Sequence, residues 1–349
     1  MMHRTSEIGG IKIGDEYPVR IAIEIGTYFG TDLERAKDYI RFAKEIGADF
    51  LKTEILHDLS IIHDLDMVHT YNTDHGPKTE NYRALLERKL VSLEDYEKLI
   101  RHAMSQGLPV IASVYDTKGV DLLVSCRAAA AKVASQNVTN RPLIEYCARS
   151  GLPLVMDTGN ALFHEVAAAV YWAETAGVKC LILNHRPDGS PCPANEQNIR
   201  IIRSHAEAFG WPIGFSCHYD GDEMIYLAIG MGARLIEKPT YHKKERDDQD
   251  TMFTLHYDKF REMVKKIRSC SDALGDGVRR KQVPYQLECR ACLAAGKDIG
   301  EGEALTFENV IFPWPMKGIP ASQWREAEGL TTSRRLRKGE PITWRDVRR

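Results

Sequence analysis

Eight times between Val19 and residue 275, a short apolar run gives way to a longer amphipathic stretch. No other feature of the chain restricts its fold so far. "VRIAIEIG" (19–26), "DFLKTEIL" (49–56), "LPVIASVYD" (108–116) and "AAAKVAS" (129–135) read as strands, as do "LPLVMDTG" (152–159), "VKCLILN" (178–184), "WPIGFSC" (211–217) and "ARLIEKP" (233–239). Near-continuous apolar runs of this length suit strands buried on both faces. The stretches between them carry helical spacing. In "TDLERAKDYIRFAKEIGA", Leu33, Ala36, Ile40, Ala43 and Ile46 recur on one face. Thr31 reads as its N-cap, with Glu34 completing a capping box. Strand then helix, repeated, predicts a parallel sheet covered by helices. Eight repeats predict that the sheet closes, giving an α/β fold of the (β/α)8 TIM-barrel type. No GxGxxG follows the first strand, which argues against an open dinucleotide-binding sheet.

Two segments break the rhythm. His57 to Val91 is too long for a simple connection, and its "ENYRALLERKL" looks helical, so an ordered lid is expected. Near "GDGVRRKQVPYQ" (275–286) the chain turns polar and rich in Gly, and beyond it "KDIGEGEALTFENV" is echoed by "RRLRKGEPITWRDV". The expected organisation is a barrel over 1–275, a linker over 276–286 and a small pseudo-symmetric β domain over 287–349. The chain has 349 residues with a net charge of −2, which gives no global field for nucleic acid or an acidic membrane. No apolar run approaches the ~20 residues of a membrane span, and the N-terminus has no apolar signal core, so a cytoplasmic protein is expected. The eight cysteines are scattered; Cys289 and Cys292 form a CxxC with no second pair nearby, and read as reduced thiols.

In a barrel, function collects where the strands end. Lys52, Lys132, Ser113, Ser135 and Ser216 stand at such ends. Two ammonium groups and three hydroxyls at one mouth describe an anion site for phosphate or carboxylate. One such lysine alone would ordinarily pair a strand-end carboxylate such as Glu24 or Glu237; their joint occurrence carries the argument. His218 follows Ser216 by two and shares its face, where an imidazole could bind a metal or move a proton.

At "IEIG", "LKTE", "AKVASQNVTNRPLIEY", "GFSCH" and "LIEKP", followed by the C-terminal pattern "A…DI..GE.LT.EN", the chain resembles the sialic acid synthase family over roughly residues 15–349. The resemblance implies a barrel joined to a small antifreeze-like SAF domain of β-clip form. It implies a transferase that condenses phosphoenolpyruvate with an open-chain amino-sugar aldehyde, releasing phosphate and a sialic-acid-like keto acid. Lys52, Ser113, Lys132, Ser135 and Ser216 match positions that hold phosphoenolpyruvate; Glu24 and Asp250 match positions that grip the acceptor. His218 matches one of two histidines that bind a divalent metal, Mn²⁺ or Mg²⁺. The family's homodimer closes each barrel with the partner's SAF domain.

The departures lie on one side. The second metal histidine falls on Pro239, and the acid two residues after Ser135 falls on Asn137. The acceptor-side glutamine is Glu54, and the arginine that meets an N-acetyl group is Trp314. "NHRPDGSPCP" stands where the family has "TxNYPTP". The phosphoenolpyruvate half is kept and the acceptor half rebuilt, which predicts an enzyme with an altered aldehyde acceptor. The expected catalytic residues are His218, Glu24 and Glu237, and the acceptor set is Glu24, Glu54, Asp250 and Trp314. A sharp turn expected at Pro239 could bring Tyr241 or His242 toward the mouth, His242 as a second metal ligand beside His218; the other reading is a metal that is weakly held or absent. Two further readings stay open: a non-catalytic sugar-binding homologue, and an aldolase using a Schiff base at Lys132.

Overall fold

The computed structural model describes residues 4–278, 285 and 288–349. The chain divides into two units, Met1–Asp276 and Gly277–Arg349. In the first, the strands are β1 (Arg20–Gly26), β2 (Phe50–Glu54), β3 (Val110–Val114), β4 (Ala130–Val133), β5 (Leu154–Asp157), β6 (Leu181–His185), β7 (Ile213–Ser216) and β8 (Ala233–Tyr241). Each is parallel to the next, and β8 also pairs β1, so the barrel closes. The covering helices are α1 (Leu33–Glu45), α2 (Leu93–Ser105), α3 (Thr117–Ser125), α4 (Arg141–Arg149), α5 (Phe163–Thr175), α6 (Ile201–Phe209), α7 (Glu223–Gly230) and α8 (Tyr257–Leu274). Asp32, not Thr31, caps α1, its Oδ1 accepting from the Arg35 amide at 3.0 Å. Among the described residues, no helix is long and apolar enough to cross a membrane.

The period of two along each strand builds the interior in layers. One set of side chains, including Ile21, Ile23, Leu51 and Val110, packs outward against the helices. The alternate set points into the barrel. Near the N-terminal ends it is apolar: Ala22, Phe50, Ile111, Ala130, Val155, Ile182 and Leu235. A hairpin of Ser6–Ile8 and Ile11–Ile13 stoppers that end by adding Ile8 and Ile13 to the cluster. Two residues further on, every inward position is polar: Glu24, Lys52, Ser113, Lys132, Asp157, Asn184, Ser216 and Glu237, all buried. The floor is dry and the mouth is charged because each strand switches character at the same height.

β8 corrects one expectation. Pro239 neither ends the strand nor turns the chain; the strand runs through it to Tyr241. Glu237 accepts from the Cys217 amide, so Pro239, two residues on, faces the same side, where β7 has already ended. Its missing N–H leaves no rung unmade.

The His57–Val91 segment also differs from expectation. It contains an antiparallel hairpin, Val68–Thr73 with Gly76–Asn81, and its helix covers only Tyr82–Glu87, capped by Asn81. The hairpin strands are mostly polar, so no alternation announced them. Backbone pairing and the Thr70–Thr79 hydroxyl contact at 2.8 Å hold them instead. The lid is tied to the loop after β8 by charge: Arg246 grips Asp74 at 2.9 Å, and Arg88 joins Glu80 at 2.6 Å to Asp248 at 2.7 Å.

In the second unit the sequence echo is a structural one. Ile299 and Leu336, equivalent in the two copies, exchange reciprocal backbone hydrogen bonds of 2.9 Å. The Glu303 carboxylate accepts from the Gly300 amide and the Glu340 carboxylate from the Arg337 amide, each at 2.9 Å and each three residues back. Asn309 and Asp346 repeat the same relation to Thr306 and Thr343. Cys289 is exposed and Cys292 buried; both are free thiols.

Candidate active site

At the C-terminal mouth of the barrel lies a cavity of about 580 Å³. Its base is a circuit of buried charges. Lys52 Nζ contacts Glu24, lies 3.0 Å from Glu54 Oε1 and 4.0 Å from Glu237 Oε1. Lys132 Nζ lies 2.5 Å from that same Glu237 oxygen and 2.9 Å from Asp157 Oδ2. Four carboxyl groups thus share two ammonium groups. Burial raises Glu24 to about 7, against the pull of Lys52 and with the help of Glu237 and Glu54. Burial also raises Asp157, again against Lys132. For Glu54 and Glu237 burial is outweighed by the lysines, which hold both below the usual carboxylate range. Two cations therefore face two carboxylates held low and two raised by burial, so the lysines offset much of the negative charge of the cluster.

This revises the anion site inferred from sequence: neither lysine is a free charge waiting for a ligand. Nor does it support the Schiff-base reading. Burial would lower Lys132, but Asp157 and Glu237 overcome it and raise its pKa. An ammonium so held has no lone pair for a carbonyl.

The serines divide. Ser113 and Ser135 are buried in the cavity wall with hydroxyl oxygens that have no hydrogen-bond partner among the described residues. Ser216 Oγ donates to Glu237 Oε1 at 3.0 Å and is not on the wall. It braces a carboxylate rather than meeting a ligand.

His218 faces the cavity, stacked on Phe253 at 4.3 Å. Its Nδ1 is 3.1 Å from Ser190 Oγ, which also receives Arg186 Nη2 at 3.1 Å. Burial first, then Arg186 and Lys132, hold His218 well below its ordinary pKa, so the ring is neutral. Arg186 can only donate, so Ser190 accepts from it and can give its own proton to Nδ1, the arrangement in which the ring proton sits on Nε2.

His242 is not brought to the site. Its Nδ1 is 2.9 Å from the Tyr39 hydroxyl of α1, and it does not line the cavity. Because β8 continues straight through Pro239, the side chain after Tyr241 meets the helix layer instead of the mouth. Among the described residues, no group of three His, Cys, Asp or Glu side chains is placed to hold a metal ion, and no second imidazole stands beside His218. The donors near His218 do not fit the implied divalent metal, and no step below is routed through one. On the acceptor side, Glu54 Oε2 receives the Tyr115 hydroxyl at 3.1 Å. Asp250 sits at φ 64°, its carbonyl accepting from Tyr28 at 2.9 Å and its Oδ2 from Gln249 at 2.6 Å. Asn137 lines the cavity and accepts from Asn140 Nδ2 at 2.9 Å. Trp314 belongs to the second unit and is 73% exposed.

The family model described as NeuB matches residues 39–279, the larger part of the chain. The chain belongs to the NeuB family. A SAF domain model matches residues 290–348. Relatives of this NeuB-family chain include the N,N'-diacetyllegionaminic acid synthase of Legionella pneumophila, 26% identical over 99% of both chains. An uncharacterised protein of Methanocaldococcus jannaschii is 30% identical over 88% of this chain and 90% of its own. The human N-acetylneuraminate-9-phosphate synthase is 27% identical over 85% of this chain and 83% of its own. Two solved structures share the fold. A putative spore coat polysaccharide biosynthesis protein E of Chromobacterium violaceum has a TM-score of 0.74 at 22% identity, covering 95% of this chain and 100% of that one. An N-acetylneuraminic acid synthetase of Leptospira borgpetersenii has a TM-score of 0.72 at 23% identity, covering 82% and 95%.

Sequence reasoning missed three charged groups of this NeuB-family site. Asp157 stood at a strand end but was given no role. Arg186 follows Asn184 by two, so continuing the inward period past β6 would have found it. Lys89 left no signal; it lies in a stretch that looks like an ordinary solvated helix. One expectation follows from the charge circuit. Glu24 holds its proton more tightly when folded, rising from 4.5 to about 7. That stabilising contribution is complete below the unfolded value and is lost as pH rises through about 7. Glu24→Gln should therefore flatten the fall in melting temperature between pH 5 and 8. An undiminished slope in the variant would assign the titration to another group.

Proposed function

We propose that this NeuB-family chain condenses phosphoenolpyruvate with a sugar aldehyde, releasing phosphate and a sialic-acid-like keto acid. The observation that carries the reading is the pair of buried, unpartnered hydroxyls of Ser113 and Ser135 on the wall of a cavity that Lys52 and Lys132 also line. These four groups offer donors to the phosphate and carboxylate oxygens of the substrate. The C2=C3 π electrons of phosphoenolpyruvate form the new bond to the aldehyde carbon, and the carbonyl oxygen takes up charge and then a proton. Water adds to C2, losing a proton. The C2–O bond to phosphate then breaks as the C2 hydroxyl gives up its remaining proton, which the departing phosphate takes, leaving the ketone.

His218 presents its Nε2 proton to the aldehyde oxygen. A neutral imidazole whose tautomer is fixed by Ser190 and Arg186 polarises a carbonyl without first having to lose a charge. Glu24, with a pKa of about 7, is matched to exchanging the proton of the nascent hydroxyl. Glu54 and Asp250 hold acceptor hydroxyls. Glu237 keeps Lys132 in place.

The test is phosphate release from phosphoenolpyruvate across a panel of aldose and amino-sugar acceptors. Release that depends on one class of aldehyde, with a keto acid as co-product, is expected; none with any aldehyde overturns the reading. Sedimentation of the same sample reports assembly, for which we propose a homodimer acting in the cytoplasm. A single-chain mass would remove the dimer alone.

A further inference from the structure

Lys89 is 5% exposed and lines the same cavity. It reaches the mouth from the segment between β2 and α2, and its partner Gln249 comes from the loop after β8. β2, β1 and β8 are consecutive in the barrel, whereas Lys132, Asp157 and Arg186 arrive on or after β4, β5 and β6. Lys89 therefore reaches the mouth on the side of Glu54 and Asp250, the carboxylates assigned to the acceptor, whose charges act on it.

Its bonding differs from that of the other two lysines. Nζ donates to Gln249 Oε1 at 2.7 Å and, weakly, to the Gln249 carbonyl at 3.5 Å. Among the described residues no carboxylate oxygen lies within ion-pair distance of it, and Asp248, Asp250 and Glu54 act on it only from farther away, whereas Lys52 and Lys132 are each held by several. An ammonium has three donors, and amide oxygens here take at most two. Buried cations without a paired charge are costly, and burial lowers the pKa of this one. The adjacent Arg88 carries the ion pairs that fasten the lid, so the lid does not need Lys89 for that purpose.

We propose that Lys89 is a specificity residue that selects an acceptor bearing an anionic oxygen substituent, a carboxylate or a phosphate monoester, at the end away from the aldehyde. This rests on the synthase reading of the cavity. The bound anion supplies the charge that Gln249 cannot, and Leu86, Ile61 and Ile62 on the same wall keep water from competing. A neutral sugar could offer the third donor a hydroxyl oxygen but no countercharge.

The experiment compares three acceptors of one stereochemistry: the neutral N-acylhexosamine, its 6-phosphate and its 6-carboxylate. With the wild type, kcat/KM for one anionic form should exceed that of the neutral sugar at least tenfold, and which of the two it is identifies the anion. Lys89→Met should erase that preference while leaving KM for phosphoenolpyruvate within about twofold; Lys89→Arg should keep part of it. Equal use of neutral and anionic acceptors by the wild type overturns the proposal. So does an equal loss on all three in Lys89→Met, which would mark Lys89 as only the prop of Gln249. If no aldehyde supports phosphate release, the synthase reading fails by itself. Ligand-observed NMR with mannose and mannose 6-phosphate then still tests Lys89: binding of the phosphate alone, lost in Lys89→Met, supports it, and indifference to the charge overturns it.

Discussion

Lys132→Met should lose phosphoenolpyruvate binding and melt at a lower temperature, both from one cause. In the free protein Lys132 is the cation between Glu237 and Asp157, at 2.5 and 2.9 Å. Removing one partner of a buried pair strands the other, at a cost of about 3–5 kcal/mol. In the complex the same ammonium meets the substrate anion, and its loss should weaken binding by about 2–5 kcal/mol, roughly 30-fold to several thousandfold. Calorimetric titration and a melting curve read the two effects separately. The stability loss should shrink on acidification, because protonating Glu237 and Asp157 removes the stranded charge. Wild-type affinity in the variant would end the assignment of this wall to phosphoenolpyruvate; an unchanged melting temperature would end the account of the charge circuit.

Gly159→Ala should damage the site through backbone that cannot yield. A Cβ there would stand 2.6 Å from the Arg186 carbonyl oxygen, 2.8 Å from Ser135 Oγ and 2.9 Å from Arg186 Cδ. A methyl group forced into such space costs about 1–3 kcal/mol. Both neighbours belong to the proposed mechanism: Ser135 offers a hydroxyl to the substrate, and Arg186 sets the tautomer of His218 through Ser190. We expect kcat/KM to fall by more than tenfold in a protein that still folds, with KM for phosphoenolpyruvate rising. Steady-state kinetics beside near-ultraviolet circular dichroism would check this. Full activity in a folded variant would show that the loop after β6 has slack that the close contacts deny.

The barrel was legible because its signal is repeated. Each strand carries the same run, and eight runs spaced by amphipathic helices leave little else for the chain to become. The mouth was legible in kind: the residues two positions beyond each apolar inward residue could be named from the strand register alone. Their partners could not. Whether Lys132 meets Glu237 or a ligand depends on strands that face one another across the interior only once the barrel closes, and Glu237 lies 105 residues away. Pro239 misled for the opposite reason. Its effect on a strand depends on which neighbour still has rungs to share, and β7 ends just before it matters. The hairpin at Val68–Asn81 was hidden because a polar ribbon held by its own backbone writes no periodicity into the sequence. The repeat in the second unit was visible as an echo, but that Ile299 and Leu336 face one another across it is information only the fold supplies.

The bond between the lid and the loop after β8 has a bearing on where such a protein works. Asp74, Arg246, Arg88 and Asp248 are all partly open to solvent, with side chains 25–36% exposed. Most of the circuit at the base of the cavity is nearly closed to it, Lys52, Lys132 and Glu237 each being at 2%, and Glu54, at 31%, is its most open member. Dissolved ions screen the first set strongly, with a Debye length of ~8 Å at physiological ionic strength, and reach the second hardly at all. Ionic strength therefore acts on this molecule as a setting for the door and leaves the chemistry behind it untouched. A cell that concentrates salt would loosen the entrance without altering the reaction.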